Sequence, residues 1–504
     1  MNTTILNVSG DSADDVKIEA AGNLLKEGKL VAFPTETVYG LGANALDEEA
    51  AARIYSAKGR PSDNPRIVHI ADWDALGLIV KEIPPEAKLL ADRFWPGPLT
   101  MIFKKSDRVP YGTTGGLVTV AVRMPSHPVA MKLIRAGGGY IAAPSANTSG
   151  RPSPTRAEHV KEDLDGRIDM ILDGGEVNIG LESTIVDLSE GVPTILRPGY
   201  ITKEMLEEVL GKVEVDQAII RDDSNIVPKA PGMKYRHYAP KADLVVVEGE
   251  QALVTARINE LVQEKQEHGM RVGVICTEET KDLYNADEIR SAGSRQDEES
   301  IARHLFAVLR EFDELDVDCI YSESFEGPGL GQAIMNRLLK AAAHQVIHIN
   351  KRGVSRLNRI LFVSNSANIM GPMAEGIARR ELEGVNIEVR SRGLVVLFPE
   401  PVNQKAEAVM ISNGIRMDGY MSKQLTREDM GDACLVLTLN EKQKERINEE
   451  YPEQKQVYTL SEFSGVEDTQ NPYGGELTDY GRCFEQVEKM VKRTIARLRR
   501  EHSI

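Results

Sequence analysis

Short apolar runs of strand length alternate with longer stretches of helical spacing along the whole chain. No other feature constrains the fold as strongly. Such alternation marks α/β layers, in which amphipathic helices cover the faces of a sheet. Residues 13–27 space their apolar side chains at helical intervals; Gly28 and Lys29 stop the pattern, and Leu30-Val31-Ala32-Phe33 follows as an unbroken apolar run. The same reading predicts a helix over 48–58 and strands over 66–70, 99–103, 118–122, 140–143 and 184–187. A second series runs strand 244–247, helix 251–269, strand 271–276, helix 298–315, strand 319–321 and helix 327–340. A third opens at Arg359: strand 360–363, helix 372–383, strand 387–390, strand 434–439, then an amphipathic helix over 484–500. No fixed period recurs, which argues against a solenoid. The 504 residues leave room for about three domains.

Charge divides the chain in a similar way. Residues 1–250 and 251–350 each carry a net −8, whereas 351–504 balance 23 basic against 23 acidic side chains. A net charge of −16 argues against coating nucleic acid by bulk charge, though not against a local basic cleft. Cys276, Cys319, Cys434 and Cys483 stand far apart and form no CxxC pair. That is neither a zinc site of standard spacing nor a disulfide framework, so a reducing cytoplasm is expected. The N-terminus has no basic and apolar leader, and no apolar run reaches the roughly 18 residues of a membrane span.

The chemistry collects in loops after predicted strands, where ligands gather in α/β folds. Pro34-Thr35-Glu36-Thr37-Val38-Tyr39-Gly40 follows the first strand. Lys58-Gly59-Arg60-Pro61 ends a helix, Ala143-Pro144-Ser145-Ala146-Asn147 follows an apolar strand, and Ser183-Thr184 and Arg197-Pro198-Gly199 flank another. Arginine holds phosphate or carboxylate with paired hydrogen bonds. Any one of Lys58, Arg60, Arg123 or Arg197 alone reads as a solvated surface charge. Their concentration in hydroxyl-rich loops points instead to a polyphosphate. Residues 222–242 hold prolines 228, 231 and 240 beside Tyr235, Arg236, His237 and Tyr238. That is a connector whose rings are built to pack.

Taken together and in order, PTETVYGLG, KGRP, FWPGPLT, VRMPSHP, PSAN, LESTIVD and LRPG resemble the YrdC-like domain. PGMKYRHYAPK and GPGLGQAIMNRLLKAA resemble the linker and small second domain of the longer threonylcarbamoyl-AMP synthases. The resemblance divides the chain into a domain over 1–215, a linker or lid over 216–242 and a small domain over 243–350. It implies a twisted mixed sheet with a concave face, then a small Rossmann-like α/β domain. It implies synthesis of threonylcarbamoyl-AMP and pyrophosphate from L-threonine, bicarbonate and ATP, for threonylcarbamoyladenosine in tRNA. Carried onto this chain, it assigns threonine to Thr35, Thr37, His69, Arg123, Ala143 and Ser183. ATP falls to Lys58, Arg60, Asn64, Thr119, Ser145, Asn147, Ser153, Arg197 and Tyr235, with Lys58 and Arg60 stabilising the phosphoryl group. The implied cofactor is Mg²⁺ entering with ATP, with no metal ligands of the chain's own. The product would pass to a tRNA-modifying transferase complex, with no membrane and no required tRNA contact. A YrdC-type carbamoyltransferase would need the cysteine pairs that this chain lacks. An RNA-binding module without synthase activity would have no use for an intact KGRP, PSAN and Arg197.

The third unit, 355–504, resembles low-molecular-weight protein tyrosine and arginine phosphatases, a flavodoxin-like parallel α/β fold. Strand 360–363 and Pro372-Met373-Ala374-Glu375 fit the family pattern C-x-G-N-x-C-R-S followed by P-M-A-E. Ser364, however, stands at the nucleophilic cysteine, Met370 at the phosphate-binding arginine and Asn471 at the general acid. A serine forms no thiolate, a methionine holds no phosphate and an amide protonates no leaving group. The expectation is a pseudophosphatase with a structural or regulatory role. A dimerisation module, and hence a homodimer, fits the same sequence.

Overall fold

The computed structural model describes residues 2–59, 64–216, 238–327, 329–349, 357–430, 434–452, 454 and 456–500. They form two compact units, Met1–Val246 with Ile258–Val346, and Val247–Arg257 with Ile347–Ile504. Among the described residues no helix is long and apolar enough to cross a membrane.

The first unit is built on an eleven-stranded mixed sheet. At its centre Ile67–His69 runs parallel to Thr119–Arg123. Leu99–Lys104 lies antiparallel to Thr119–Arg123 and parallel to Thr184–Asp187. This register sets His69, Arg123 and Thr100 side by side at one end of the strands. The helix Glu48–Lys58 spans the predicted residues. Asp47 caps it by accepting from the Glu49 and Ala50 amides, and Gly59 ends it at φ +64°. Its apolar face buries Ala50, Ile54 and Ala57, and its last residue, Lys58, is buried as well.

The sequence reading missed the strand Gly40–Asn44, because glycine disfavours strands. The fold needs glycine there. A Cβ at Gly42 would stand 3.0 Å from both Phe33 and Ile141, and one at Gly40 would stand 3.3 Å from Ala143 and Phe33. Strands Thr4–Asn7, Met170–Asp173, Thr194–Arg197 and Glu288–Ser291 were also unforeseen.

Within the same unit, Val272–Cys276 runs parallel to Glu288–Ser291 and to Cys319–Glu323. The helix Glu298–Glu314 packs against them, and its Ile301, Leu305 and Phe306 share a core with Val38 and Leu181 of the first domain. The approach is close enough that a Cβ at Gly180 would collide with the Arg303 backbone. Two buried arginines cross this junction. Arg310 donates to the Pro152 carbonyl (Nη2, 2.6 Å) and to Asp163 (2.9 Å). Arg337 donates to Glu182 (3.1 Å) and to the Pro198 carbonyl (2.5 Å).

The second unit holds a four-stranded sheet in the order Glu388–Gly393, Arg359–Ser364, Cys434–Thr438, Val457–Thr459. All its pairs are parallel, as expected for a flavodoxin-like unit. Helix Met370–Glu381 starts two residues before the predicted point, and Leu477–Arg500 starts seven before. Both bury apolar faces in one core with Ile360, Phe362, Leu435 and Leu437.

Candidate active site

A cleft in the first unit gathers residues from eight separated stretches of sequence. Its walls include Thr35, Thr37, Lys58, His69 and Arg123. Ala143, Ser145, Asn147, Ser183 and Arg197 complete the expected set found there. Of the other residues assigned from sequence, Arg60 and Tyr235 lie outside the described residues. Asn64, Thr119 and Ser153 are not among the cleft's lining residues. Asn64 is buried, its carbonyl accepting from the Tyr55 hydroxyl at 2.7 Å. Thr119 stands at the far end of its strand from Arg123, paired with Lys104. Ser153 is buried behind the wall, its hydroxyl on Glu182 at 2.6 Å.

Arg123 is held by three groups. Its Nη1 donates to Thr37 Oγ1 at 2.9 Å, its Nε to the Gly97 carbonyl at 3.3 Å, and its Nη2 lies 2.6 Å from Glu36 Oε1. A guanidinium has five N–H bonds, so each terminal nitrogen keeps a hydrogen for a ligand. Thr35 and Thr37 share a hydrogen bond of 2.9 Å. Ser183 bonds Thr100 (2.8 Å) and accepts from Arg197 Nη2 (3.1 Å).

Buried polar atoms are normally paired, yet His69 Nδ1, Arg123 Nη2 and both Glu36 carboxylate oxygens have no aligned hydrogen-bond partner. His69 and Arg123 face each other in register. Burial, reinforced by the Arg123 charge, pushes the His69 imidazole down to about 3, so the ring is neutral at physiological pH.

Lys58, expected beside the phosphates, also braces the loop next to it. Its ammonium donates to the Ser145 carbonyl, to the Asn147 carbonyl at 2.6 Å and to Asn147 Oδ1 at 3.4 Å. It lines the cleft by holding the PSAN loop in place.

Glu182 and Tyr238 also line the cleft and were not foreseen. Glu182 lay within the quoted LESTIVD motif, where the hydroxyl residues drew the reading. A carboxylate beside a ligand-facing serine was the available signal. Burial alone would raise the Glu182 carboxyl, but Arg337 and Arg197 outweigh it, and the Ser153 hydroxyl adds to them, holding it at about 2. Tyr238, at φ +65°, packs on Phe306 with ring centroids 5.0 Å apart. Burial raises its phenol.

The buried imidazoles set a pH dependence. His159, like His69, is pushed down to about 3 by burial, with Arg310 assisting. A histidine kept neutral in the fold but free to titrate near 6.5 when unfolded stabilises the fold above that pH. The contribution is lost as pH falls from about 6.5 toward 3. Each such ring removes up to about 1.4 kcal/mol per pH unit in that window. The unfolding midpoint is therefore expected to be level near pH 7–8 and to fall steadily by pH 5. Calorimetry across that range checks it, and a midpoint unchanged down to pH 5 would contradict it.

In the second unit the degenerate loop is closed off. The Ser364 hydroxyl accepts from the Ala367 amide at 3.0 Å, and Tyr420 donates to the Ala367 carbonyl at 2.6 Å. Ile369 and Met370 belong to the apolar core. Glu400 receives Asn368 Nδ2 at 2.7 Å, which sets a carboxylate beside a loop that a phosphatase would keep for an anion. Asn471 is exposed and accepts from the Tyr473 amide at 3.1 Å. Burial pushes the thiols of this unit up, Cys434 to about 12 and Cys483 to about 11.

Three family models match in succession. One described as "Telomere recombination" covers residues 23–199, "Threonylcarbamoyl-AMP synthase, C-terminal domain" covers 201–343, and "Low molecular weight phosphotyrosine protein phosphatase" covers 359–504. A threonylcarbamoyl-AMP synthase of Pyrococcus abyssi is 52% identical over 347 residues, 69% of this chain and 100% of the relative. That of Bacillus subtilis is 53% identical over 337 residues, 67% of this chain and 96% of the relative. The crystal structure of P. abyssi Sua5 complexed with L-threonine is 52% identical, with a TM-score of 0.66 over 69% of this chain and 100% of that one. The chain belongs to the threonylcarbamoyl-AMP synthase family and carries, after its synthase portion, a domain matched by the low molecular weight phosphatase family.

Proposed function

We propose that the cleft joins L-threonine, bicarbonate and ATP into threonylcarbamoyl-AMP and pyrophosphate, in the cytoplasm, for tRNA threonylcarbamoyladenosine. The observation that carries this reading is the convergence in one cleft of Arg123, the hydroxyls of Thr37 and Ser183, and His69, whose buried Nδ1 has no aligned hydrogen-bond partner. A buried polar atom without a partner costs about 1–3 kcal/mol, a cost that a polar ligand relieves. The relative solved with L-threonine supports the amino acid as that ligand. The two remaining Arg123 hydrogens suit its carboxylate. The Thr35–Thr37 pair suits its hydroxyl, because a polar site left unpaired rejects analogues lacking that group.

In the reaction, bicarbonate takes up a proton and loses water to give carbon dioxide; the threonine amine adds to its carbon and releases a proton, giving a carbamate. The carbamate oxygen then attacks the α-phosphorus, and the bond to the departing pyrophosphate breaks. No enzyme nucleophile is needed. The protein contributes orientation and charge. Arg197 carries charge toward the phosphates, while Lys58 fixes the loop that presents Ser145 and Asn147. The Glu36 and Glu182 carboxylates are each committed to arginines. Among the described residues no cluster of three or more His, Cys, Asp or Glu side chains could hold a metal. Mg²⁺ would enter with the nucleotide and supply charge that offsets its phosphates.

The third domain we read as a pseudophosphatase with a structural or regulatory role. Carbon from labelled bicarbonate is expected in an adenylate only when threonine and ATP are both present. Label appearing without threonine, or not at all, would refute the synthase reading.

A further inference from the structure

We infer that Arg337, carried by the small domain's helix Gly331–Ala341, is a positioning residue of the synthase site's ATP side, acting through Glu182 on Ser153 and through the Pro198 carbonyl on Arg197. This rests on the cleft being the synthase site. Arg337 is wholly buried. Its Nε meets Glu182 Oε2 at 3.1 Å, its Nη2 the Glu182 carbonyl at 3.3 Å, and its Nη1 the Pro198 carbonyl at 2.5 Å. One guanidinium thus staples Glu182 to the stretch that carries Arg197 into the cleft.

Across the carboxylate, Glu182 Oε1 accepts the Ser153 hydroxyl at 2.6 Å. Beyond it, Arg197 Nε donates to the Ser183 carbonyl at 3.0 Å. The groups facing Glu182 are Arg337, Arg197, Ser153 and Tyr238. With both oxygens engaged, Glu182 is a poor proton acceptor and a good brace.

A buried ion pair adds little stability over a well-packed apolar pair. Placing one here is best explained by the geometry it imposes. A lysine could keep the charge but not the three-way fork.

The test uses the full chain. Arg337→Lys is expected to weaken binding of Mg²⁺ with a non-hydrolysable ATP analogue about tenfold and to leave L-threonine affinity within about twofold. Because Ser153 and Arg337 share Glu182, Ser153→Ala in the Arg337→Lys background is expected to cost less than Ser153→Ala alone. A purely structural arginine would lower the unfolding midpoint without separating the two ligands. Unchanged analogue affinity, equal loss for both ligands, or strict additivity with Ser153→Ala would overturn the inference. If Arg337→Lys fails to fold, Glu182→Gln replaces it in the same cycle with the same expectations. Should the wild type bind the analogue yet release no pyrophosphate with threonine and bicarbonate, the synthase reading fails, and the binding cycle still decides the role of Arg337.

Discussion

Arg123→Lys is expected to lower kcat/KM for threonine by about 10²–10³-fold while leaving the protein folded. The lysine keeps a positive charge near Glu36 but cannot serve Thr37, Gly97 and a ligand carboxylate together. Two charge-assisted hydrogen bonds lost, at about 1.5–3 kcal/mol each, account for a loss of that size. Arg123→Met should do worse for a different reason. It strands the buried Glu36 carboxylate and costs about 3–5 kcal/mol of stability. Calorimetric threonine affinity and denaturant midpoints separate the two effects. A lysine variant within threefold of wild type would mean that Arg123 only supports the fold.

The second large effect lies in the phosphatase-like domain. Ser364→Cys alone is expected to leave hydrolysis of an aryl phosphate at background, because no arginine replaces Met370 and no acid replaces Asn471. Adding Met370→Arg and Asn471→Asp restores a general acid worth about 10²–10⁴-fold and charged donors worth about 10²–10³-fold. The triple variant should therefore exceed the single one by at least about 10³-fold. It should also be less stable, since residue 370 lies in the apolar core. Measurable turnover by the unaltered chain would refute the pseudophosphatase reading.

The architecture was legible wherever pattern and packing agree. Helix 48–58 has a capping aspartate, an apolar face and a terminal glycine, and strand 184–187 is buried throughout. Strand Gly40–Asn44 was hidden because its glycines answer to Ile141 and Ala143, distant in sequence, as well as to Phe33 on the preceding strand. At the site, motif order gathered the cleft's principal residues but not their directions. Thr119 and Arg123 share a strand, yet only Arg123 lines the cleft. Lys58 lines the cleft as expected, and its hydrogen bonds to the PSAN loop leave no local pattern in the sequence. Glu182 escaped notice because its importance depends on Arg337, 155 residues away, and such a pairing leaves no local pattern.

The most direct measurement is pyrophosphate release by the purified full chain with ATP and Mg²⁺, with threonine and bicarbonate added singly and together. Release that needs both is the predicted result, with serine, which lacks the side-chain methyl group, serving less well than threonine. Release indifferent to threonine, or none with all components present, would contradict the synthase account.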